Sequence, residues 1–116
     1  LLTMTRRLIV SRKQRRILQL TTFLGWFVIN KKWYVYIVEC SDGSFYTGIT
    51  VDVDRRILEH NYSFKAAKYT RSRRPVSLKL KITVGSQSEA LKLENKIKKM
   101  SRKNKINLME SSANEL

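Results

Sequence analysis

Five residues of this chain carry side chains that could do chemistry together: Tyr36, Tyr46, Arg56, His60 and Glu94. Arg56 and His60, the chain's one histidine, are spaced i, i+4 and so lie on one face of a helix. The plainer alternative is a solvated, charged helix face. That suits Arg55 and Glu59, an i, i+4 pair worth roughly a few tenths of a kcal/mol. Glu94 falls inside the apolar arc of a later helix, among Ala90, Leu91, Leu93, Ile97 and Met100 at ~100° per residue. A carboxylate on that side is costly unless paired, neutralised or metal-bound. It is either half of a buried ion pair, or a metal ligand or general base. Whether the two tyrosines can join these residues depends on the elements that carry them.

"WYVYIVEC", Trp33 to Cys40, is β-branched and aromatic and reads as a strand. It is apolar on both faces, which predicts a central, doubly covered position. "SDG" is turn chemistry and "SFYTGIT" a second strand. A two-residue Asp42-Gly43 loop would pair Cys40 with Phe45 and set Tyr36 and Tyr46 on opposite faces. A three-residue loop with Gly43 left-handed pairs Cys40 with Ser44, and the tyrosines then share a face. Asp52 can cap a helix from Val53 to about His60 or Asn61. "NYSFKAAKYTRSRRP" reads as a basic loop. "VSLKLKITV" alternates apolar Val76, Leu78, Leu80, Ile82 and Val84 with polar residues, predicting a third strand. "SQSE" at 86–89 fits a capping box opening a helix to about Met100, and "RKNKINLME" adds a short final helix. These elements make one small α/β domain of the α+β type: a layered sheet and helices.

The charge balance is the compositional outlier. Lys and Arg number 24 against 9 Asp and Glu, a formal net charge of +15 in 116 residues. Such an excess points to a polyanionic partner, nucleic acid or an anionic membrane surface, rather than to a merely solvated basic surface. A hydrophobic content of 42% argues against a disordered chain. Cys40 is the single cysteine, which excludes an internal disulfide, makes a cysteine-based metal site implausible and fits a cytoplasmic protein. Residues 1–32 hold eight basic residues and no acidic one, so they read as a separate basic and apolar extension to a domain at 33–116. Their apolar run, Ile17 to Ile29, follows a basic stretch as in a signal peptide, but no small-residue cleavage site comes after it. It also falls short of the ~20 residues that span a bilayer, so no integral membrane insertion is expected. The extension is a helix packing on the domain, a membrane-surface anchor, or residues upstream of a native start; the first and third fit better.

With these residues in place, "YVY" (Tyr34 to Tyr36), "YTG" (Tyr46 to Gly48), Arg56, His60 and Glu94 resemble the GIY-YIG nuclease domain. The order and spacing are similar: a first motif, a second about ten residues on, an Arg eight residues past the Gly, and a Glu in a later helix. The likeness covers about residues 33–100 and is strongest to small stand-alone bacterial members. "KYTRSRRPVSLKL" also resembles their loop into the third strand. Tyr34 replaces the first Gly of the first triplet and Thr47 the Ile of the second. Ile49 stands where some relatives carry a Lys, so a Lys-assisted chemistry is unsupported.

The resemblance implies a small three-stranded antiparallel sheet flanked by helices and a divalent-metal-dependent endonuclease, using Mg²⁺ or Mn²⁺. It implies DNA as the partner and cleavage that is structure-specific, in DNA repair or recombination. Carried over by residue, Glu94 is the metal ligand, Tyr46 assists deprotonation of the attacking water and Tyr36 supports the nucleophile side. Arg56 holds the scissile phosphate, and His60 orients or relays a proton. Tyr34 and Gly48 of the triplets, with Lys65, Lys68, Arg71, Arg73 and Arg74 of the basic loop, are the expected substrate-binding residues. Two alternatives stand beside the nuclease: a nucleic-acid-binding module of the same fold that is catalytically weak or inactive, and a structural basic protein in which the tyrosines and Glu94 merely pack.

Overall fold

A computed structural model describes residues 32–114. The three alternatives for the N-terminal extension fall on residues that lie outside these. The described chain starts with strand β1 (Trp33–Glu39) and strand β2 (Phe45–Thr50), joined by the turn Ser41-Asp42-Gly43. The turn takes the three-residue form. Gly43 sits at φ +84°, where a side chain would strain the backbone, and Cys40 N–H donates to the Ser44 carbonyl at 2.8 Å. Asp42 Oδ1 accepts from Ser44 N at 3.0 Å, fixing the corner. Val38 therefore lies opposite Tyr46, and Tyr36 opposite Gly48, so both tyrosines project from one face of the sheet.

Strand β3 (Ser77–Val84) pairs antiparallel on the other side of β1, giving the order β2-β1-β3. The central β1 is buried from Val35 to Val38, as its two-sided apolar pattern requires. The even alternation expected of the third strand is broken. A register shift sets Ile37 opposite Leu80 but Val38 opposite Leu78, leaving Lys79 as an extra, bulged residue. Val76 consequently packs with Tyr36 and Val38, while Leu80 joins the core on the opposite side.

Helix α1 (Val53–Tyr62) is capped by Asp52, whose carboxylate accepts from Arg55 N at 3.0 Å. It covers the Tyr36 face, with Ile57 against Tyr36, Val38, Cys40 and Val76. The stretch expected to be a loop contains a short helix, α2 (Lys68–Arg71). Helix α3 (Gln87–Lys98), capped by Ser86, buries Ala90 and Ile97 on the other face, against Val35, Ile37 and Leu80. The final helix, α4 (Arg102–Asn114), runs longer than expected and adds Leu108 and Met109 to that core. Its first residue reaches the hairpin: Arg102 Nη1 donates to the Gly43 carbonyl at 2.9 Å and lies over Phe45. The result is a three-stranded antiparallel sheet between two helical layers, an α+β fold. Among the described residues, no helix is long and apolar enough to cross a membrane.

Candidate active site

The site begins with a strand position that has room for nothing. A Cβ at Gly48 would meet the Tyr36 hydroxyl at 2.5 Å and its ring at 2.7 Å. The missing side chain lets Tyr36, one strand away, lie flat across β2 towards the sheet edge. Tyr36 and His60 are fully buried and hydrogen-bonded, Tyr36 Oη to His60 Nε2 at 2.8 Å. His60 Nδ1 lies 2.7 Å from Thr70 Oγ1, and Thr70 Oγ1 donates its one proton to the Ala67 carbonyl at 3.0 Å. A hydroxyl that gives its proton to Ala67 accepts from His60, an arrangement that favours the proton on Nδ1. Nε2 is then an acceptor, and the Tyr36 hydroxyl donates to it. Proton direction is thereby set along the chain Tyr36, His60, Thr70, Ala67.

Electrostatics keep both titratable members of the chain neutral. Burial, helped by the positive charge of Arg56, pushes the His60 pKa down to about 4. Burial pushes the Tyr36 phenol up to about 12, an effect the neighbouring Arg56 guanidinium only partly offsets. Tyr36 is therefore no phenolate at neutral pH. It is a hydroxyl set between His60 and the Arg56 guanidinium. Tyr46 completes the aromatic wall: its ring stands edge-on to His60 at 5.4 Å and stacks on Tyr69 at 6.0 Å, and Arg73 covers Tyr69 at 3.8 Å. Among the described residues the Tyr46 hydroxyl has no hydrogen-bond partner.

Arg56 and His60 share a face of α1, as their spacing predicts. Arg56 Nη1 is held by Glu59 Oε1 at 2.9 Å and by the Lys65 carbonyl at 3.0 Å. That contact draws the Glu59 carboxyl below its ordinary range. Both Nη1 donors are used in this way, and the guanidinium also lies within hydrogen-bonding reach of the Tyr36 hydroxyl. Glu59, expected to pair with Arg55 alone, thus positions Arg56 as well; its contact with Arg55 is the longer, at 3.6 Å.

Glu94 is on α3, and its negative charge is one of those that raise the Tyr36 pKa. Its carboxylate is 13% exposed and has Lys98 Nζ at 3.5 Å, on a side chain that is half exposed. A pair with so solvated a partner contributes at most about 1 kcal/mol, too little to explain keeping a carboxylate nearly buried. Among the described residues no group of three His, Cys, Asp or Glu gathers around a point, and Glu94 stands as a single carboxylate. Beside Lys98, a groove of about 230 Å³ opens along the β2 edge, lined also by Phe45, Tyr46, Thr47, Tyr69 and Lys105.

The remaining expected residues are dispersed. Tyr34 shares the Tyr36 face but is placed with Lys81, whose Nζ is 5.6 Å from its ring. Gly48 is covered by Tyr36. The basic segment is internally bonded. Arg71 Nη2 donates to the Phe64 and Ala66 carbonyls, both at 3.2 Å, and Arg73 bonds Asp42 and the Tyr69 carbonyl. Arg74 donates to the His60 carbonyl at 2.6 Å and also to the Ser63 carbonyl. Lys65 and Lys68 are exposed. The residue missed from sequence is Thr70, which sets the His60 tautomer. It lies in a four-residue helix too short to leave a periodic signal.

The GIY-YIG catalytic domain model matches residues 32–107, more than half of the chain. The UPF0213 protein DP2720 of Desulfotalea psychrophila is 54% identical over 80 residues, 69% of this chain and 73% of the relative. A UPF0213 protein of Syntrophus aciditrophicus is 52% identical over 79 residues, 68% of this chain and 91% of the relative. The solution structure of the protein EF2693 from E. faecalis is 39% identical, with a TM-score of 0.51, covering 72% of this chain and 88% of that one. The match runs from the start of β1 into α4 and takes in every residue of the cluster just described; the chain belongs to the GIY-YIG nuclease family.

Proposed function

We propose that the chain is a divalent-metal-dependent endonuclease that hydrolyses phosphodiester bonds in DNA. The observation that carries this reading is the buried Tyr36–His60 hydrogen bond with its direction fixed by Thr70, beside the Arg56 guanidinium. A core built only for packing has no use for three polar groups arranged to move a proton one way, and leaving any of them unpaired is costly.

Tyr46 and Tyr36 offer hydroxyl oxygens to the attacking water. As Tyr36 Oη accepts from the water, its own proton moves towards His60 Nε2. The resting imidazole is a weak base because burial and Arg56 disfavour its charge. A phosphate that pairs with Arg56 cancels the second of these causes, so substrate raises the basicity of His60 where it is needed. The Arg56 guanidinium, through donors beyond Nη1, holds a non-bridging phosphate oxygen as negative charge gathers there. Glu94 is the carboxylate that would hold a divalent cation, which would supply Lewis-acid stabilisation of the charge that develops on the phosphate.

The test is cleavage of branched, single-stranded and duplex DNA with Mg²⁺ or Mn²⁺, for wild type and Glu94→Gln. Wild type should cut only with metal, and Glu94→Gln should lose cleavage by orders of magnitude while its melting temperature holds. A Glu94→Gln protein that cuts at the wild-type rate would sink the assignment. A wild type that binds DNA but cuts no substrate would favour the inactive binding module.

A further inference from the structure

The turn at residues 63–66 is held with unusual thoroughness for a segment that buries so little. Each of its four carbonyls accepts from a guanidinium: Ser63 from Arg74, Phe64 and Ala66 from Arg71 at 3.2 Å, and Lys65 from Arg56 at 3.0 Å. Lys65 N–H adds a bond to Ser63 Oγ at 3.0 Å. With its backbone tied inward and Ala66 buried, the turn presents Phe64 and Lys65 outward. Phe64 is 82% exposed and Tyr62, just before the turn, 81% exposed. Burial would stabilise aromatic groups of this size, and neither receives it here. Lys65 is exposed between Phe64 and the rest of the basic segment, which continues through Lys68, Arg71, Arg73 and Arg74.

We infer that this turn is a rigid stacking platform, on which Phe64 and Tyr62 take unpaired bases of the strand whose phosphate Arg56 holds. The inference rests on the proposed nuclease site for the position of that phosphate, because one guanidinium serves both the turn and the site. Exposed aromatic rings among cations are the combination that binds single strands, since every base has a face to stack while the cations follow the backbone. A duplex keeps its base faces covered, so only phosphate contacts remain for it. The substrate class that follows is a single strand, or a duplex locally opened beside the cut.

Binding in chelator-containing buffer separates this from catalysis. The probes are a short single-stranded DNA with a central 2-aminopurine and the same strand annealed to its complement. Phe64→Ala should weaken single-strand binding roughly tenfold and reduce the fluorescence change of the base analogue. Duplex affinity and the salt slope should stay as in wild type, since no charge is removed. Phe64→Trp should restore both signals. Equal losses on both probes, or none on either, would overturn the platform. So would a wild type that self-associates in sedimentation through Phe64 while single-strand affinity ignores it, which would make the patch a protein contact. If the platform binds as stated but no metal supports cutting, the nuclease reading falls alone; if cutting is metal-dependent and single-strand binding ignores Phe64, the platform falls alone.

Discussion

At the scale of single residues, the chemistry turns on where protons sit. Thr70 bears on it most, because its hydroxyl reaches both the Ala67 carbonyl and His60 Nδ1, an arrangement that favours the Nδ1–H form. Thr70→Val keeps the shape and removes the acceptor. A buried Nδ1–H is then unsatisfied, which costs about 1–3 kcal/mol, and the tautomer preference that made Nε2 an acceptor is lost. We expect a lower melting temperature and a drop in cleavage, with ¹⁵N shifts of the His60 ring reporting the tautomer directly. A variant whose ring nitrogens keep their wild-type shifts would show that Thr70 does not set the tautomer. Tyr36, Tyr46, Arg56 and His60, which the structure brings together, were legible as neighbours from type and spacing together with the family likeness. Thr70 was not, because its contribution is a contact ten residues from His60 in sequence and carries no periodicity.

At the scale of elements, the sequence was most informative where local chemistry decides geometry. Ser41-Asp42-Gly43 narrows the hairpin to two registers, and Asp52 specifies the start of α1, because turns and caps are governed by neighbouring residues. It was least informative between α1 and β3. There the geometry comes from Arg71 and Arg74 donating to carbonyls five to fourteen residues away, so a stretch that reads as a basic, solvated loop is a bonded corner containing α2. The β3 bulge escaped for a similar reason: it is a property of pairing with β1, and the alternating pattern of β3 itself continues through it. Gly48 joins these two kinds of determinant. Gly48→Ala adds one methyl group where the Tyr36 hydroxyl stands 2.5 Å away, so the ring must move or the strand must shift. Overpacking of this kind costs about 1–3 kcal/mol. Cleavage should fall by more than folding does, because displacing Tyr36 breaks the bond to His60. Circular dichroism melting beside cleavage at a temperature where the variant is folded checks this; a folded, fully active Gly48→Ala would mean that Tyr36 need not lie across the strand.

At the scale of the whole molecule, charge governs both binding and stability. The described domain's binding to a polyanion should weaken with salt, by a log–log slope of about 0.7–0.9 per phosphate neutralised. Lys65 and Lys68 are the residues to test, since removing Arg71, Arg73 or Arg74 would also untie the 63–76 corner. Lys65→Gln with Lys68→Gln should lower the slope, and a salt titration that shows no change would take both lysines out of the interface. Stability against pH follows from His60. Its folded pKa of about 4 lies below its ordinary value of 6.5, so between these values the unfolded chain binds a proton that the native state refuses. Stability from this group is fully present above pH 6.5 and is lost as pH falls through that window towards 4. A gap of about 2.5 units is on the order of 3 kcal/mol, a large share of what a domain of this size has to spare. Carboxylates such as Glu59, held low by Arg56, lose their contribution only below their ordinary value of 4.5, so the upper part of the window belongs to His60. Wild type should therefore show a falling melting temperature between pH 6.5 and 4.5. His60→Gln, less stable at neutral pH, should show a nearly flat curve there. Parallel slopes for the two proteins would mean that His60 is not buried as a neutral base, and the proton relay built on it would fail with that result.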